Sequence, residues 1–270
     1  MGLPQEIVEH IMDMLRNDLR ALTACSLTCK AMFVSTRHLI HRTLCLTPRN
    51  NARVLTREEQ SRYQGQEDCF DVQLRFLSYM GERGFLRYTR QVRVRMLHTF
   101  TPETLLPHIH YFRSLDRVHT LTIDHYDTVP WADHFQTCFL HFYPTLTSLT
   151  LHRPFGHYRL ILRFAIQFPN LENLCLEWLT SELIRPETAV PPTIDRFPPL
   201  RGHLRLAGFN DLTQWPMHFA DEFRSRMNFR SVELESEFFG EHVERILSEC
   251  ADTIEDLTIA PSETSASPKL

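Results

Sequence analysis

Glycine is scarce here: only eight of 270 residues, none of them in a Gly-x-Gly-x-x-Gly, phosphate-loop or Gly-x-Ser-x-Gly arrangement. A His-Glu-x-x-His pair is also missing. The commonest sequence signs of dinucleotide binding, phosphoryl transfer, serine hydrolysis and zinc peptidase chemistry are therefore lacking. A charge excess is lacking too, because 29 Lys plus Arg face 33 Asp plus Glu and leave a net charge of −4. That balance does not favour nucleic acid or an anionic membrane surface as partner. No uninterrupted apolar run has membrane-spanning length, and Glu6, Glu9 and Asp13 stand where a secretory signal would be basic and then apolar. Gly2 is followed by Glu6 where a myristoylation pattern wants Ser or Thr, and Pro268-Lys269-Leu270 misses a peroxisomal signal.

Cysteine gives no framework either. Positions 25, 29, 45, 69, 138, 175 and 250 make an odd count, are widely spaced and fall mostly in apolar stretches. This pattern predicts reduced thiols and a cytoplasmic or nuclear protein. His108 with His110, and Cys25 with Cys29, have metal-ligand spacing, but neither pair has a second pair to complete four ligands. No metal or other cofactor is expected. Trp131, Trp178 and Trp215 sit at or beyond predicted strand ends, where packing or a rim anchor for a partner are the two readings.

At 43% hydrophobic and 23% charged, the rest is ordinary globular protein. In the first forty-six residues, Pro4 suits the first turn of a helix, and Leu3, Ile7, Ile11 and Leu15 recur every four residues. Glu6, Glu9 and Asp13 take the other face. Asp18 can cap a second helix carrying Leu19, Leu22 and Leu27, which runs on to Cys29-Lys30-Ala31-Met32-Phe33. Three short helices are predicted. So small a unit cannot bury all its leucines, so part of the stripe needs cover from the rest of the chain or from another protein.

The order Leu3-Pro4, Glu6-Ile7, Ile11, Leu15, Asp18-Leu19, Leu22, Cys29-Lys30 and Arg42-Thr43-Leu44 resembles the F-box. It departs where F-boxes commonly carry Trp and this chain has Met32, with Phe33 beside it. The resemblance implies binding to the adaptor of an SCF-type ubiquitin ligase, and through it to cullin and RING subunits. Leu3, Pro4, Ile7, Ile11, Leu15, Leu19, Leu22 and Met32 would form the adaptor surface.

A polar stretch, Thr47 to Asp68, reads as a connector. Beyond it a pattern of three apolar residues repeats, as in Val118 to Ile123, Leu146 to Leu151 and Leu171 to Leu176. Weaker copies follow at Leu200 to Leu206, Phe229 to Leu234 and Ile254 to Ile259, and an opening copy falls at Val92 to Val94. Equivalent strand residues at 92, 121, 149, 174, 204, 232 and 257 give steps of 29, 28, 25, 30, 28 and 25. That is a leucine-rich-repeat period. Leu160, Ile161, Phe164, Ala165 and Phe168 show helical spacing between strands, as do Phe219, Phe223 and Met227, and Phe239, Val243, Ile246, Leu247 and Cys250. Pro144, Pro169 and Pro198 end helices just before strands. Where the repeat usually carries Asn or Cys beyond the strand, this chain has Tyr126, Pro154, Leu179, Phe209, Glu237 and Ser262. The other reading is a single βα domain of different topology.

The expected fold is α/β. A three-helix F-box at 1–46, a connector at 47–69, an irregular leucine-rich-repeat solenoid with a curved parallel sheet at 70–260, and a polar tail at 261–270 make up the chain. This plan resembles the fungal-type F-box proteins with degenerate repeats. The resemblance implies a substrate receptor that does no chemistry itself, its repeats holding an unknown target protein. Residues alternating with the buried leucines form the predicted target face: Arg93, Arg95, Thr122, Thr150, His152, Glu177, Arg205, Glu233 and Glu235. Its charge is expected to pass from basic to acidic along the array. A solvated face, or a repeat scaffold without any ligase, are the alternatives.

Overall fold

The computed structural model describes residues 4–46, 69–96, 109–125, 139–142, 144–152, 164–177, 199–209, 227–236 and 241–260. Leu3, His108, the three tryptophans, the connector up to residue 68, the tail and the helical positions 160, 161, 219, 223 and 239 lie outside them. So do the turn positions 126, 154, 179, 237 and 262. Cys69, counted with the connector, begins a helix.

Helices α1 (Gln5–Met14), α2 (Leu19–Ser26) and α3 (Lys30–Ile40) open the chain. Pro4 is the residue that caps α1, its carbonyl accepting from Ile7 and Val8 at 3.1 and 3.2 Å. Asp18 caps α2 as predicted, Oδ1 accepting from the Ala21 N–H at 2.9 Å. The stripe of Ile7, Ile11 and Leu15, expected to face a partner, is not the inner face of α1. Val8 and Met12 are the buried residues and meet Leu22 in a small core, with Ile11, Leu15, Cys25 and Met32 at its margin. Positions 8, 12 and 15 form an i, i+4, i+7 stripe rotated about 100° from Ile7, so the four-residue spacing traced the edge of the apolar arc instead of its centre.

Two residues after α3 the chain enters β1 (Thr43–Leu46). Residues 43–46, placed with the first module by the sequence, therefore begin the sheet. Helix α4 (Cys69–Glu82) and a 3₁₀ turn at Leu86–Tyr88 lead to β2 (Gln91–Met96). Then come α5 (Ile109–Phe112), β3 (Thr120–His125), β4 (Ser148–His152), β5 (Asn173–Glu177), β6 (Leu200–Phe209), β7 (Met227–Ser236), α6 (Glu241–Cys250) and β8 (Asp256–Ala260). Met227, read as helical from its spacing, starts β7 instead.

All eight strands form one sheet in sequence order, and every neighbouring pair is parallel. The six repeat steps appear directly in the register, which sets Val92, Leu121, Leu149, Leu174, Leu204, Val232 and Leu257 side by side. Leu44 extends that row by one strand. A second row runs from Leu46 through Val94, Ile123, Leu151, Leu176, Leu206 and Leu234 to Ile259. Both rows are buried as far as β7, under Phe112, Phe139, Phe142, Phe164, Phe168, Ile246 and Cys250. Each fully buried side chain of this size contributes about 1.5 to 3 kcal/mol.

One device recurs where strands start. The carbonyl of Arg42 accepts from both Arg90 and Gln91; that of Arg90 accepts from His119 and Thr120. His119 likewise serves Thr147 and Ser148, and Thr147 serves Glu172 and Asn173. Hydroxyls add to this, Thr145 donating to the Val118 carbonyl at 2.8 Å and Thr253 to that of Phe229 at 2.9 Å. Backbone groups at these turns are thus paired between successive strands.

Candidate functional site

With one face of the sheet packed, the alternate residues of β2 to β7 line the other, and the structure joins their charges into a ladder. Arg93 donates to Asp124 Oδ2 from Nε at 3.1 Å and from Nη2 at 2.9 Å. Asp124 Oδ1 lies 3.6 Å from His152 Nε2, and His152 Nδ1 lies 2.6 Å from Glu177 Oε2. Glu177 Oε1 is 3.7 Å from Arg205 Nε, which is 3.4 Å from Glu233 Oε1, while Arg205 Nη2 donates to Glu235 Oε2 at 3.4 Å. His203 completes it, bonding Ser231 Oγ through Nδ1 at 3.0 Å and standing 3.9 Å from Glu233.

The register explains the ladder. Arg93 and Asp124 lie on adjacent strands two residues out of register, as do Glu177 and Arg205, so long side chains meet on diagonals. Arg205 and Glu233 are directly opposed. The expected passage from basic to acidic keeps its ends, Arg93 on β2 and Glu233 and Glu235 on β7, but between them acidic and basic side chains alternate across five strand boundaries. Burial drives this. The Asp124 side chain is 5% exposed and Glu177 16%, and carboxylates at that depth need partners.

Around Arg205 the electrostatics are strongest. Burial disfavours its charge, but Glu233 and Glu177 outweigh burial and hold its pKa above the ordinary value. Its Nε is buried without a hydrogen-bond partner, although Glu233 Oε1 stands 3.4 Å and Glu177 Oε1 3.7 Å from it. Cys175 opposes Arg205 and donates to Glu177 Oε1 at 3.3 Å. Burial and then the Glu177 charge push its thiol up to about 12, so it is no nucleophile. Among the described residues no group of three His, Cys, Asp or Glu is placed to hold a metal.

Of the expected target face, His152, Glu177, Arg205, Glu233 and Glu235 meet in the ladder, and Arg93 joins it through Asp124. Thr122 and Thr150 are half-buried between these charges. Arg95 occupies the register position opposite Asp124. Asp124 and His203 belong to the site as much as these; the same period-two alternation marked them, but only the register shows Asp124 to be the link.

The second surface is on the helices. Ile7 and Leu19 are exposed, Ile11, Leu15 and Met32 half-buried, and Pro4 exposed. Leu22 is 1% exposed, so as the helices stand it supports the surface from behind and cannot touch a partner. Leu27 and Phe33, named with the helices from the sequence, are exposed as well, and so are Met14 and Val34, which were missed. Cys29 is exposed, and the backbone N–H of Met32 lowers its pKa.

A joint links the two surfaces. His41 stacks on Phe85 with centroids 4.6 Å apart, and its carbonyl accepts from Thr89 Oγ1 at 3.2 Å. Arg37 lies over Phe33 at 5.0 Å and Tyr88 at 5.7 Å. Burial and then the Arg37 charge lower the His41 pKa, which favours the neutral form of the stacked ring. Among the described residues no helix is long and apolar enough to cross a membrane. A scan against protein-family models and a search of curated proteins find no match to this chain.

Proposed function

We propose that this chain is the substrate-recognition subunit of an SCF-type ubiquitin ligase, working in the cytoplasm or nucleus. On this reading α1 to α3 are an F-box that binds the adaptor, and β1 to β8 are an irregular leucine-rich-repeat solenoid that binds the target. One observation carries the first half: among the described residues, six of the ten large exposed apolar side chains lie on the helical unit, namely Ile7, Met14, Leu19, Leu27, Phe33 and Val34. A concentration of that kind calls for a partner, whereas exposed apolar residues scattered singly do not. The sequential parallel order of strands, at steps of 25 to 30 residues, supports the second half.

The chain would do no chemistry. Holding a target lysine near a ubiquitin-charged enzyme turns a bimolecular encounter into a nearly intramolecular transfer. Adaptor binding by the purified protein is the test, with Ile7→Asp as the variant. Ile7 is 47% exposed, so a carboxylate there should leave the melting curve in place while weakening the adaptor contact about a hundredfold. Wild-type protein that binds no adaptor sinks the ligase reading. A repeat scaffold capped by its own N-terminal helices then becomes the better account, favoured by the direct run of α3 into β1.

A further inference from the structure

The ladder on the uncovered sheet face is not charge-symmetric. At the β2 end the group that meets solvent is Arg93, 54% exposed, while its partner Asp124 is sunk to 5%. At the β6 and β7 end one guanidinium, Arg205, faces three carboxylates, Glu177, Glu233 and Glu235, of which Glu233 is 32% and Glu235 21% exposed. The guanidinium there is already surrounded, and with His203 standing 3.9 Å from Glu233 three carboxylates still face one permanent cation, so that end has negative charge to spare. Between the ends lie half-buried Thr122 and Thr150, which offer hydroxyls and no charge.

Resting on the reading that this face holds a target, we propose that its occupant is an extended segment with opposite charges at its two ends. Carboxylates would meet Arg93 and Lys or Arg side chains would meet Glu233 and Glu235. Five strand spacings separate β2 from β7. At about 4.8 Å each they span roughly 24 Å, which roughly seven extended residues cover. The order of charges thus fixes how the segment lies across the strands, and the middle, where Asp124 and Glu177 already have Arg93, His152 and Arg205 as partners, tolerates small polar residues. A uniformly basic segment would set its far end against Arg93, and a uniformly acidic one would meet the surplus carboxylates. Each is disfavoured at one end.

Fluorescence anisotropy with the full chain tests this. The probes are dye-labelled peptides of about ten residues. One has two Glu at one end, two Lys at the other and Ser or Thr between; a second has the same composition with the charges interspersed; a third keeps only the Lys pair. The bipolar peptide should bind at least about fivefold tighter than the interspersed one at low salt, and the advantage should shrink as salt screens it. Arg93→Gln should remove that advantage while leaving the Lys-only peptide unaffected, and Arg93→Lys should restore it. Glu233→Lys with Glu235→Lys should abolish binding of both Lys-bearing ends, with Glu235→Gln as the milder variant should the pair fail to fold by circular dichroism. Equal binding of bipolar and interspersed peptides, no binding of either, or indifference to Arg93→Gln overturns the proposal. Adaptor capture is measured on the same preparations: capture without peptide preference sinks the charge order alone, and peptide preference without capture sinks the ligase reading alone.

Discussion

Arg93 donates from both Nε and Nη2 to a single oxygen of Asp124, at 3.1 and 2.9 Å, across the boundary between β2 and β3. The carboxylate is 5% exposed and the cation 54%, so the pair protects Asp124 more than it protects Arg93. Arg93→Met should cost about 1 to 2 kcal/mol, below the range for a fully buried pair because the guanidinium is half in solvent. Adding Asp124→Asn should recover part of the loss. Urea unfolding of the two single variants and the double variant measures the coupling; a strictly additive double variant would mean that the pair contributes nothing.

Gly202 sits at a bulge in β6 with φ +89°, where an added Cβ would collide with the Glu172 carbonyl oxygen, the acceptor of the His203 N–H. Backbone cannot yield there as a side chain would. Gly202→Ala should therefore cost more than about 3 kcal/mol, whereas Gly84→Ala, at φ +67° with open space around it, should cost about 1 to 2 kcal/mol. Melting temperatures of the two variants compare them directly.

Met12 is 1% exposed inside the helical unit, and its core is separate from that of the sheet. Met12→Ala should cost about 2 to 4 kcal/mol, and Ile7→Ala less than about 1 kcal/mol. Hydrogen exchange should show the loss in α1 to α3 and leave β3 to β5 protected. Equal loss in both regions would mean that the two cores melt as one.

Thiol chemistry should separate the described cysteines. Burial and then Glu177 raise Cys175 to about 12, and burial raises Cys250 to about 11, while Cys29 is exposed with a lowered pKa. Alkylation near neutral pH, mapped by mass spectrometry, should mark Cys29 first and spare Cys175 and Cys250 until denaturant is added. Because the folded pKa of Cys175 lies above its ordinary 9.0, its contribution to stability is complete below that pH and is lost as pH rises towards about 12. Cys175→Ser should flatten the alkaline limb of the stability curve.

The last strand should open before the middle ones. Leu257 and Ile259 continue the two buried rows, yet each is 46% exposed, whereas Leu149 and Leu151 in β4 are fully covered. Amide exchange in β8 should be faster than in β4; slower exchange would contradict the account of β8 as a weakly covered edge.

These differences follow how legibly each part was written in the sequence. The steps from Val92 to Leu257 set the strand register correctly because period-two burial and a near-constant step constrain each other. Helix faces were read less well. Along α1 the apolar arc is wide, so Ile7 at its edge and Met12 at its centre look alike in spacing, and only packing against Leu22 distinguishes them. Thr43 to Leu46 gave too short a signal to be separated from the helices before it. The ladder depended on diagonals between strands, which no single segment encodes; Asp124 has no charged neighbour within its own strand to reveal its role.

The stack of His41 on Phe85 has a last consequence. Only His41 and Arg42 stand between α3 and β1, and the stack, the Thr89 bond and Arg37 hold that short passage from the side. The helices and the sheet therefore behave as handle and blade. On the proposed reading, a target gripped across the strands would be presented at a set bearing and reach from the adaptor on the handle, so the cargo's own shape, and not a swinging tether, would select which of its surface positions can be acted upon.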